Sequence, residues 1–199
     1  MRLVFASNNA HKLDEVRGIM PEGIQVLSLR DIGFEAEIEE NGSTLEENSK
    51  IKAQAVAAFI GESLEVRGER IDGVFADDTG LEIEALGGKP GVYTARWAGE
   101  PAANRKKALA ELADKTNRNA QFRTVITLIK DGKTVQVSGI VRGRIAEEEF
   151  GQGGFGYDPI FIPEGYDKTF GELPAEVKNG ISHRARALQA LIKVIGERL

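Results

Sequence analysis

Two adjacent carboxylates follow a short apolar stretch of the chain and are the first candidates for chemistry. Asp77 and Asp78 come directly after residues 74–76, which read as a short strand that ends at the aspartates. Side chains along a strand alternate between its two faces, so one of the two carboxylates is expected to face any given pocket. That carboxylate can bind Mg²⁺, which prefers oxygen ligands; a polar turn capped by an aspartate is the alternative. Glu40 becomes a second ligand only if the fold brings it to Asp78.

A second group of polar residues lies where the first apolar stretch meets a helix, a position typical of an anion site. Free backbone N–H groups and the positive end of the helix dipole favour anions at such a junction. Ser7 and Asn9 add short hydrogen-bonding side chains, and Lys12 adds a positive charge one turn into the helix. A helix cap with a solvated lysine explains the same residues equally well. The candidate residues are Ser7, Asn8, Asn9, Ala10, His11 and Lys12.

Glycine and aromatic residues are interleaved in the most unusual segment, residues 153–159. Glycines let the backbone approach a flat ligand closely, and an aromatic face can stack on a base. Asp158, in the same segment, can accept a hydrogen bond from a ring N–H. A glycine-rich loop whose aromatics pack into the core is an equally good interpretation. The candidate residues are Phe155, Gly156, Tyr157 and Asp158.

Cationic side chains are grouped at the start of the last helix. Ser182 can cap this helix, which places His183 and Arg184 in its first turn, shortly after Lys178. Cations at a helix N-terminus oppose the dipole, so a bound anion explains them better than stability does. With only two histidines in the chain, neither a Ser-His-Asp arrangement nor a histidine-rich metal spacing is indicated.

The elements that must position these residues alternate between strands and helices. Residues 2–6 read as a buried strand, and a helix is expected from near His11 until Pro21. Overlapping capping boxes, beginning at Ser43 or Thr44, predict the start of a second helix. That helix is expected to bury Ile51, Ala55, Ala58 and Phe59.

The second half of the chain adds antiparallel strands. Pro101 is expected to open a helix, and residues 121–130 and 133–142 read as a hairpin about the turn Asp131-Gly132. Because strands and helices interleave around this antiparallel hairpin, an α/β protein with a mixed sheet is predicted. The last helix is expected to carry one apolar stripe of Leu188, Leu191, Ile192, Ile195 and Leu199.

Composition narrows the function classes. The chain has 199 residues, 41% of them apolar, a formal net charge of −5 and no cysteine. Disulfides and thiolate-bound metals are therefore excluded, and the acidic balance argues against broad electrostatic binding of nucleic acid. No apolar run approaches the ~18 residues of a membrane span, and the first one is too short for a signal peptide. A cytoplasmic protein with a single domain over residues 1–199, without a linker, is expected.

Taken together and in this order, the motifs closely resemble those of the inosine triphosphate pyrophosphatase family, also called the Ham1 or non-standard purine NTP pyrophosphatase family. The resemblance spans nearly the whole chain. The motifs that carry it are Ser7-x-Asn9-x-x-Lys12, Glu40-Asn41-Gly42-x-Thr44, Ala76-Asp77-Asp78-Thr79-Gly80-Leu81, Leu86-Gly87-Gly88-x-Pro90-Gly91-Val92, residues 153–159, Lys168-Thr169-Phe170-Gly171-Glu172 and Ile181-Ser182-His183-Arg184.

The resemblance implies an elongated mixed β-sheet with flanking helices, forming two lobes around a nucleotide cleft, and usually a homodimer. It implies that Glu40 and Asp78 serve a Mg²⁺ ion, that Asp78 is also the general base, and that Thr79 touches the substrate. Lys52 would add a phosphate contact. The loop of residues 7–12 and Lys178 would hold the phosphates. The residues implied around the base are Phe155, Gly156, Tyr157, Asp158, His183 and Arg184.

The reaction implied by the resemblance is hydrolysis of deaminated purine nucleoside triphosphates to the monophosphate and pyrophosphate. The expected partner is thus a small-molecule nucleotide, with no nucleic acid and no membrane. Three alternatives stay open: a Maf-type pyrophosphatase acting on pyrimidine or modified nucleotides, a nucleotide sensor that does not hydrolyse, and a nucleic-acid-binding module.

Overall fold

The computed structural model describes residues 1–61, 65–66 and 68–198, and its centre is a mixed β-sheet with flanking helices. This confirms the predicted α/β class. The strands are β1 Arg2–Phe5, β2 Gln25–Leu27, β3 Glu65–Val66, β4 Glu69–Arg70, β5 Gly73–Ile83, β6 Lys89–Gly91, β7 Asn119–Lys130, β8 Lys133–Ile145 and β9 Phe161–Pro163. The helices are α1 Ala10–Ile19, α2 Leu45–Ile60, α3 Pro101–Glu111, α4 Ala175–Ile181 and α5 His183–Arg198.

The main sheet has seven strands in the order β2-β1-β5-β7-β8-β9, with β6 paired to β5. Strand β1 runs parallel to both β2 and β5, whereas β5 with β6 and β8 with β9 are antiparallel. The predicted hairpin between β7 and β8 is present. Both of its turn residues, Asp131 and Gly132, have positive φ angles of 49° and 71°, as a two-residue turn of this kind requires.

The chain divides into two compact units. The first unit consists of Met1–Asp78, Thr124–Gly139 and the chain from Ala187 onward, and the second of Thr79–Arg123 and Ile140–Arg186. Each unit has buried apolar clusters of its own. The chain passes from one unit to the other inside β5, β7, β8 and α5, so these crossings use no loop as a linker.

Strand β5 is much longer than the sequence indicates. It continues through Asp77 and Asp78 to Ile83, so the expected strand end and the alternative of an aspartate-capped turn are both wrong. Its neighbour β1 ends at Phe5, opposite Phe75. The two aspartates therefore come just beyond the end of a neighbouring strand, where their side chains can meet residues from other elements.

Helix α2 buries a different face from the expected one. Phe59 is 52% exposed and Ala58 is exposed, while Ile51 and Ala55 are only half-buried. The inward face instead carries a buried lysine, Lys52, among apolar residues. The predicted apolar stripe treated Lys52 as a polar, outward-facing residue, so it identified the wrong face of α2 as the buried one. The buried residues of α2 are Leu45, Asn48, Ser49, Lys52, Ala53, Val56 and Ile60.

Helix ends follow the local signals closely. Asn9 caps α1, with its side chain accepting a hydrogen bond from the Lys12 amide at 3.1 Å. Thr44 caps α2, since its hydroxyl accepts a hydrogen bond from the Glu47 amide, but neither predicted capping box forms in full: the Glu47 carboxylate accepts from the amide and hydroxyl of Ser43 and not from the Thr44 amide. Pro101 is at the first turn of α3. No helix in the described part of the chain is long and apolar enough to cross a membrane.

Candidate active site: two charged clusters

The first charged cluster belongs to the first unit and is centred on Lys52. The Lys52 ammonium lies 2.7 Å from Glu40 Oε2 and 3.4 Å from Asp78 Oδ1. Glu40 precedes α2, Lys52 is on its buried face, and Asp78 is on β5. The fold therefore brings Glu40 to Asp78, as a role for Glu40 in the site requires, because the Lys52 ammonium contacts both carboxylates.

Asp78 is buried and only partly satisfied. Within the described residues, its Oδ2 atom is shielded from solvent and accepts no hydrogen bond. Burial raises the pKa of Asp78 above its ordinary value, and the repulsive charges of Glu40 and Asp77 act in the same direction. The cations Lys52 and Lys12 oppose this shift without cancelling it. A buried carboxyl group with a raised pKa is suited to accept a proton.

For Lys52, unlike Asp78, the neighbouring charges outweigh the effect of burial on the pKa. Burial alone lowers the pKa of its ammonium, but the charges of Asp78, Asp77 and Glu40 outweigh that effect and hold the pKa above its ordinary value. Lys52 is thus a permanent cation held among carboxylates. Its charge is available to a bound anion as well as to its neighbours.

The loop of residues 7–12 joins the same cluster through Lys12. The Lys12 ammonium lies 3.0 Å from Asp77 Oδ1. Asp77 and Asp78 thus contact different lysines, as alternation along a strand predicts. Ser7 is half-buried and its hydroxyl accepts a hydrogen bond from the Asn9 amide at 3.2 Å. The remaining residues of the loop, Asn8, Ala10 and His11, are exposed.

Asn48 fixes the segment that carries Glu40, a role that the sequence analysis missed. The Asn48 side chain is buried, and its Oδ1 atom accepts a hydrogen bond from the Gly42 amide at 2.8 Å. A Cβ atom at Gly42 would lie 2.7 Å from that same oxygen and 2.7 Å from the Glu47 Cβ. Asn48 precedes Lys52 by one helical turn, a spacing that could have indicated a shared face with it.

The second charged cluster belongs to the second unit and is centred on Lys178 of α4. Its ammonium lies 2.6 Å from Asp158 Oδ2, and both side chains are buried. The same Asp158 oxygen accepts a hydrogen bond from the Phe155 amide at 2.7 Å. The Lys178 ammonium also lies 4.7 Å from the centre of the Phe155 ring and 5.8 Å from that of Phe170, within the range of cation–π contacts.

Arg184 and His183 complete this cluster from the first turn of α5. The predicted cap is present, since Ser182 Oγ accepts a hydrogen bond from the Ala185 amide. Arg184 is 1% exposed; it donates a hydrogen bond to Thr79 Oγ1 at 3.3 Å, and its guanidinium carbon lies 5.7 Å from the Phe155 ring. His183 is buried and stacks on Phe122, with ring centres 4.6 Å apart.

The two aromatics of the glycine-rich segment take different positions. Phe155 is half-buried beside the cations, whereas Tyr157 is buried in the core of the second unit and its hydroxyl donates to the Thr94 carbonyl. Both interpretations of the segment thus hold, one for each ring. A Cβ atom at Gly154 would lie 2.1 Å from Asp158 Oδ2, so glycine is needed for this close approach.

The predicted site residues therefore form two groups. The first unit brings together the 7–12 loop, Glu40 and Asp78 through Lys12 and Lys52. The second unit gathers the residues expected around a base. Lys178, expected among the phosphate ligands, is in this second group, where Asp158 holds its ammonium. The members of the second group are Thr79, Phe155, Gly156, Tyr157, Asp158, Lys178, His183 and Arg184.

The first cluster fits a Mg²⁺ ion. Its three carboxylates outnumber its two lysines, and the buried Asp78 Oδ2, which accepts no hydrogen bond within the described residues, is an oxygen atom of the kind that would hold such an ion. Within the described ranges, no group of three or more His, Asp or Glu residues is placed to bind a metal by itself. Mg²⁺ commonly binds through one or two carboxylates and takes substrate phosphates and water as its other ligands.

Comparisons with known proteins identify the family that the chain resembles. Residues 3–194 match the model of the Ham1 family. The chain is 48% identical over 198 residues to a dITP/XTP pyrophosphatase of Flavobacterium johnsoniae, with 98% of each chain covered. It is 47% identical to a dITP/XTP pyrophosphatase of Bacillus subtilis, with 96% of each covered. The solved structure of the Staphylococcus aureus Ham1 protein superposes over both whole chains with a TM-score of 0.84 and 39% identity.

Proposed function

The chain belongs to the Ham1 family, and we propose that it hydrolyses dITP, XTP and ITP to the nucleoside monophosphate and pyrophosphate. The substrate class rests on relatives named as dITP/XTP pyrophosphatases, which are 48% and 47% identical over nearly the whole chain. The observation that carries the chemistry is the buried carboxylate of Asp78, which shares the Lys52 ammonium with Glu40.

Asp78 would act as the general base. A carboxyl group whose pKa is raised by burial holds a proton more readily than an exposed one, so it can take a proton from the attacking water. That water would attack the α-phosphate in line with the bond to the leaving pyrophosphate. Atoms balance, because the water oxygen stays on the monophosphate and the bridging oxygen leaves with pyrophosphate.

The lysines of the first cluster would stabilise the charge on the triphosphate. Lys12 and Lys52 are held as cations by carboxylates, so their charges are preorganised before substrate binds. Glu40 and Asp78 would hold Mg²⁺, which when bound offsets phosphate charge and helps pyrophosphate leave. The backbone amides of Asn8, before α1, and of Ala10, its first residue, would add further hydrogen-bond donors for phosphate oxygens.

The second cluster would recognise the base. Phe155 offers a ring face for stacking, and His183 and Arg184 supply donors suited to the 6-oxo group of hypoxanthine or xanthine. Adenine presents an amino donor at the same position, so donors would face donors and binding would weaken by several kcal/mol, about the cost of unpaired buried polar groups. Lys178 would orient Asp158, whose carboxylate it holds; direct contact of Lys178 with phosphate stays a prediction.

The test is pyrophosphate release from ITP, dITP, XTP, GTP, ATP and dTTP, each with Mg²⁺ and with EDTA. Metal-dependent release from ITP, dITP and XTP, with little from ATP and GTP, is the expected result. Activity on dTTP alone would replace the proposal with a Maf-type activity. Tight binding of ITP without release would replace it with a nucleotide sensor. The expected homodimer and the cytoplasmic location are part of the proposal and need their own measurements.

A further inference from the structure

We propose that Arg105 is a positioning residue that sets affinity for the base by holding the glycine–aromatic loop, defined as residues 150–157. This inference rests on the proposed function and deepens it, because the loop carries Phe155. Arg105 lies on α3, away from the residues that the sequence motifs single out. It reaches the second group of site residues only through the backbone carbonyl of Gly156.

The Arg105 guanidinium joins both ends of the loop. Its Nη1 atom donates a hydrogen bond to the Gly156 carbonyl at 2.9 Å, and its Nε atom lies 3.0 Å from Glu149 Oε2 in an ion pair. Glu149 immediately precedes the loop, and Gly156 lies near its end between Phe155 and Tyr157. The Arg105 side chain is only 16% exposed, so its position is defined by these contacts.

Several hydrogen bonds order this permissive backbone: the amides of Phe150, Gly153 and Phe155 donate to the Pro159 carbonyl, the Gly171 carbonyl and Asp158 Oδ2. The Arg105 guanidinium adds the contact to the Gly156 carbonyl. Gly151, Gly154 and Gly156 have φ angles of 80°, 69° and 60°, values in the left-handed region. Glycine loses more backbone freedom on ordering than other residues do, so a loop with three such glycines is costly to hold in one conformation. A charged donor on the Gly156 carbonyl restricts the peptide that follows Phe155. The orientation of the Phe155 ring beside Lys178 and Arg184 is restricted with it.

A purely structural role would give a different result. The partner Glu149 is 42% exposed, and exposed ion pairs contribute ~0–1 kcal/mol to stability. Helix α3 is anchored independently, since the Asn104 side chain accepts from the Ala98 amide and donates to the Ala95 carbonyl. Loss of Arg105 should therefore leave the fold intact and affect the loop.

The experiment compares Arg105→Gln with Lys106→Gln, which removes the same charge from the next residue of α3, an exposed one. Steady-state release of pyrophosphate from dITP is measured with Mg²⁺. Arg105→Gln is expected to raise KM by roughly tenfold, the effect of one charge-assisted hydrogen bond, and to leave kcat and the melting temperature near wild type. Lys106→Gln should match wild type in all three.

Two further variants refine the assignment. Arg105→Lys keeps the charge but loses the fork that reaches both partners, so it should rescue KM only in part. Glu149→Gln should raise KM less than Arg105→Gln, because the Gly156 contact remains. Hydrogen exchange of amides 151–157 should be faster in Arg105→Gln than in Lys106→Gln, independently of turnover.

The outcomes separate this inference from the proposed function. A KM for Arg105→Gln equal to that of Lys106→Gln overturns the role of Arg105 alone. A lower kcat together with a lower melting temperature, with KM unchanged, would also overturn the role of Arg105, since this result indicates a purely structural role. A wild-type chain that releases no pyrophosphate from dITP, ITP or XTP overturns the proposed function and this inference with it.

Discussion

Lys52 and Lys178 are both buried, but their surroundings differ in charge and in shape. Lys52 lies among the carboxylates of Glu40, Asp77 and Asp78, whereas Lys178 pairs with Asp158 and faces aromatic rings. The first unit thus keeps an excess of negative charge around its lysine. The second unit pairs its lysine with one carboxylate, adds the guanidinium of Arg184, and places the Phe155 ring beside both cations.

This difference matches two different ligand chemistries. An excess of buried carboxylate is unfavourable alone and becomes favourable when a divalent cation and phosphates complete the cluster. A lysine–carboxylate pair beside an aromatic ring, with Arg184 as a further donor, offers a flat surface with directed donors, which suits an uncharged heterocycle. Burial of a lysine alone therefore does not indicate which ligand binds nearby. The number of carboxylates and cations around it must also be known.

Replacing Asp78 by asparagine should have the largest effect on activity. Asp78→Asn keeps the shape of the side chain but removes its negative charge, and loss of a general base commonly lowers rate by ~10²–10⁴-fold. We expect kcat for dITP to fall by that order at saturating Mg²⁺. Glu39→Gln, which removes an exposed carboxylate near Glu40, should keep the wild-type kcat. Near-normal turnover of Asp78→Asn would remove the catalytic distinction between the two clusters.

Asp158→Asn and Glu40→Gln should separate the clusters by stability. Asp158→Asn leaves the buried Lys178 ammonium without its opposing charge, which should lower the free energy of unfolding by ~3–5 kcal/mol. Glu40→Gln leaves Lys52 with two aspartates and relieves repulsion among the carboxylates, so a loss of at most about 1 kcal/mol is expected. Urea unfolding measures both. Equal losses would show that the two lysines are held in the same way.

Gly42→Ala should weaken metal binding through the Glu40 segment. The new Cβ atom would meet Asn48 Oδ1 and Glu47 Cβ, so the segment must move away from α2. We expect the Mg²⁺ concentration for half-maximal rate to rise by about tenfold, equivalent to ~1.4 kcal/mol. Gly196→Ala on α5, where a Cβ meets nothing within 4 Å, is the control. An unchanged Mg²⁺ requirement in Gly42→Ala would exclude positioning of Glu40 by Asn48.

The exposed carboxylate of Asp31, in the first unit, should have the smallest effect on the free energy of unfolding and serves as a reference for the buried charges. The Ser28 amide donates to Asp31, and this hydrogen bond, aided by the Ser28 hydroxyl and the Arg17 charge, lowers the pKa of Asp31 below 3.8. A lowered folded-state pKa stabilises the fold above pH 3.8, and this contribution is lost as pH falls through the folded pKa.

Asp31→Asn should therefore cost less than about 1 kcal/mol at neutral pH, because the pair with Arg17 is exposed. The difference from wild type should disappear in acid. Unfolding free energies of both proteins at neutral pH and below pH 3.8 provide the measurement. A cost as large as that of Asp158→Asn would contradict the distinction between buried and exposed charge.

Local signals in the sequence were sufficient for most helix and turn boundaries. The Ser182 cap, Pro101 at the start of α3 and the Asp131-Gly132 turn all formed as predicted, and Thr44 caps α2 as one of the two predicted starts. Each depends on residues only a few positions apart. The mixed sheet followed from the order of such elements.

Features that depend on distant partners could not be predicted in the same way. Lys52 is buried because Glu40, 12 residues earlier, and Asp78, 26 residues later, meet its ammonium. A hydrophobicity pattern that treats lysine as polar therefore predicts that the face of α2 carrying Lys52 is exposed. The length of β5 was also missed, because polar residues 77–80 resemble a turn unless pairing with neighbouring strands is known.

The candidate site shows the same limit. The residue types in the motifs identified both groups of side chains, but the distribution between two units did not follow from spacing. Asn48 and Arg105 went unrecognised, because each contacts a backbone group of a glycine that is distant from it in the chain or in another element, Gly42 or Gly156. Such contacts have no signature in residue type.

The buried phenol of Tyr157 gives the second unit a built-in optical reporter. Burial raises the pKa of Tyr157 well above its ordinary value, and its O–H group donates to the Thr94 carbonyl. The other two tyrosines, Tyr93 and Tyr166, are exposed. In an alkaline absorbance titration, the Tyr157 phenol should therefore ionise only well above its ordinary pH range, so its absorbance reports on the packing of the core of the second unit.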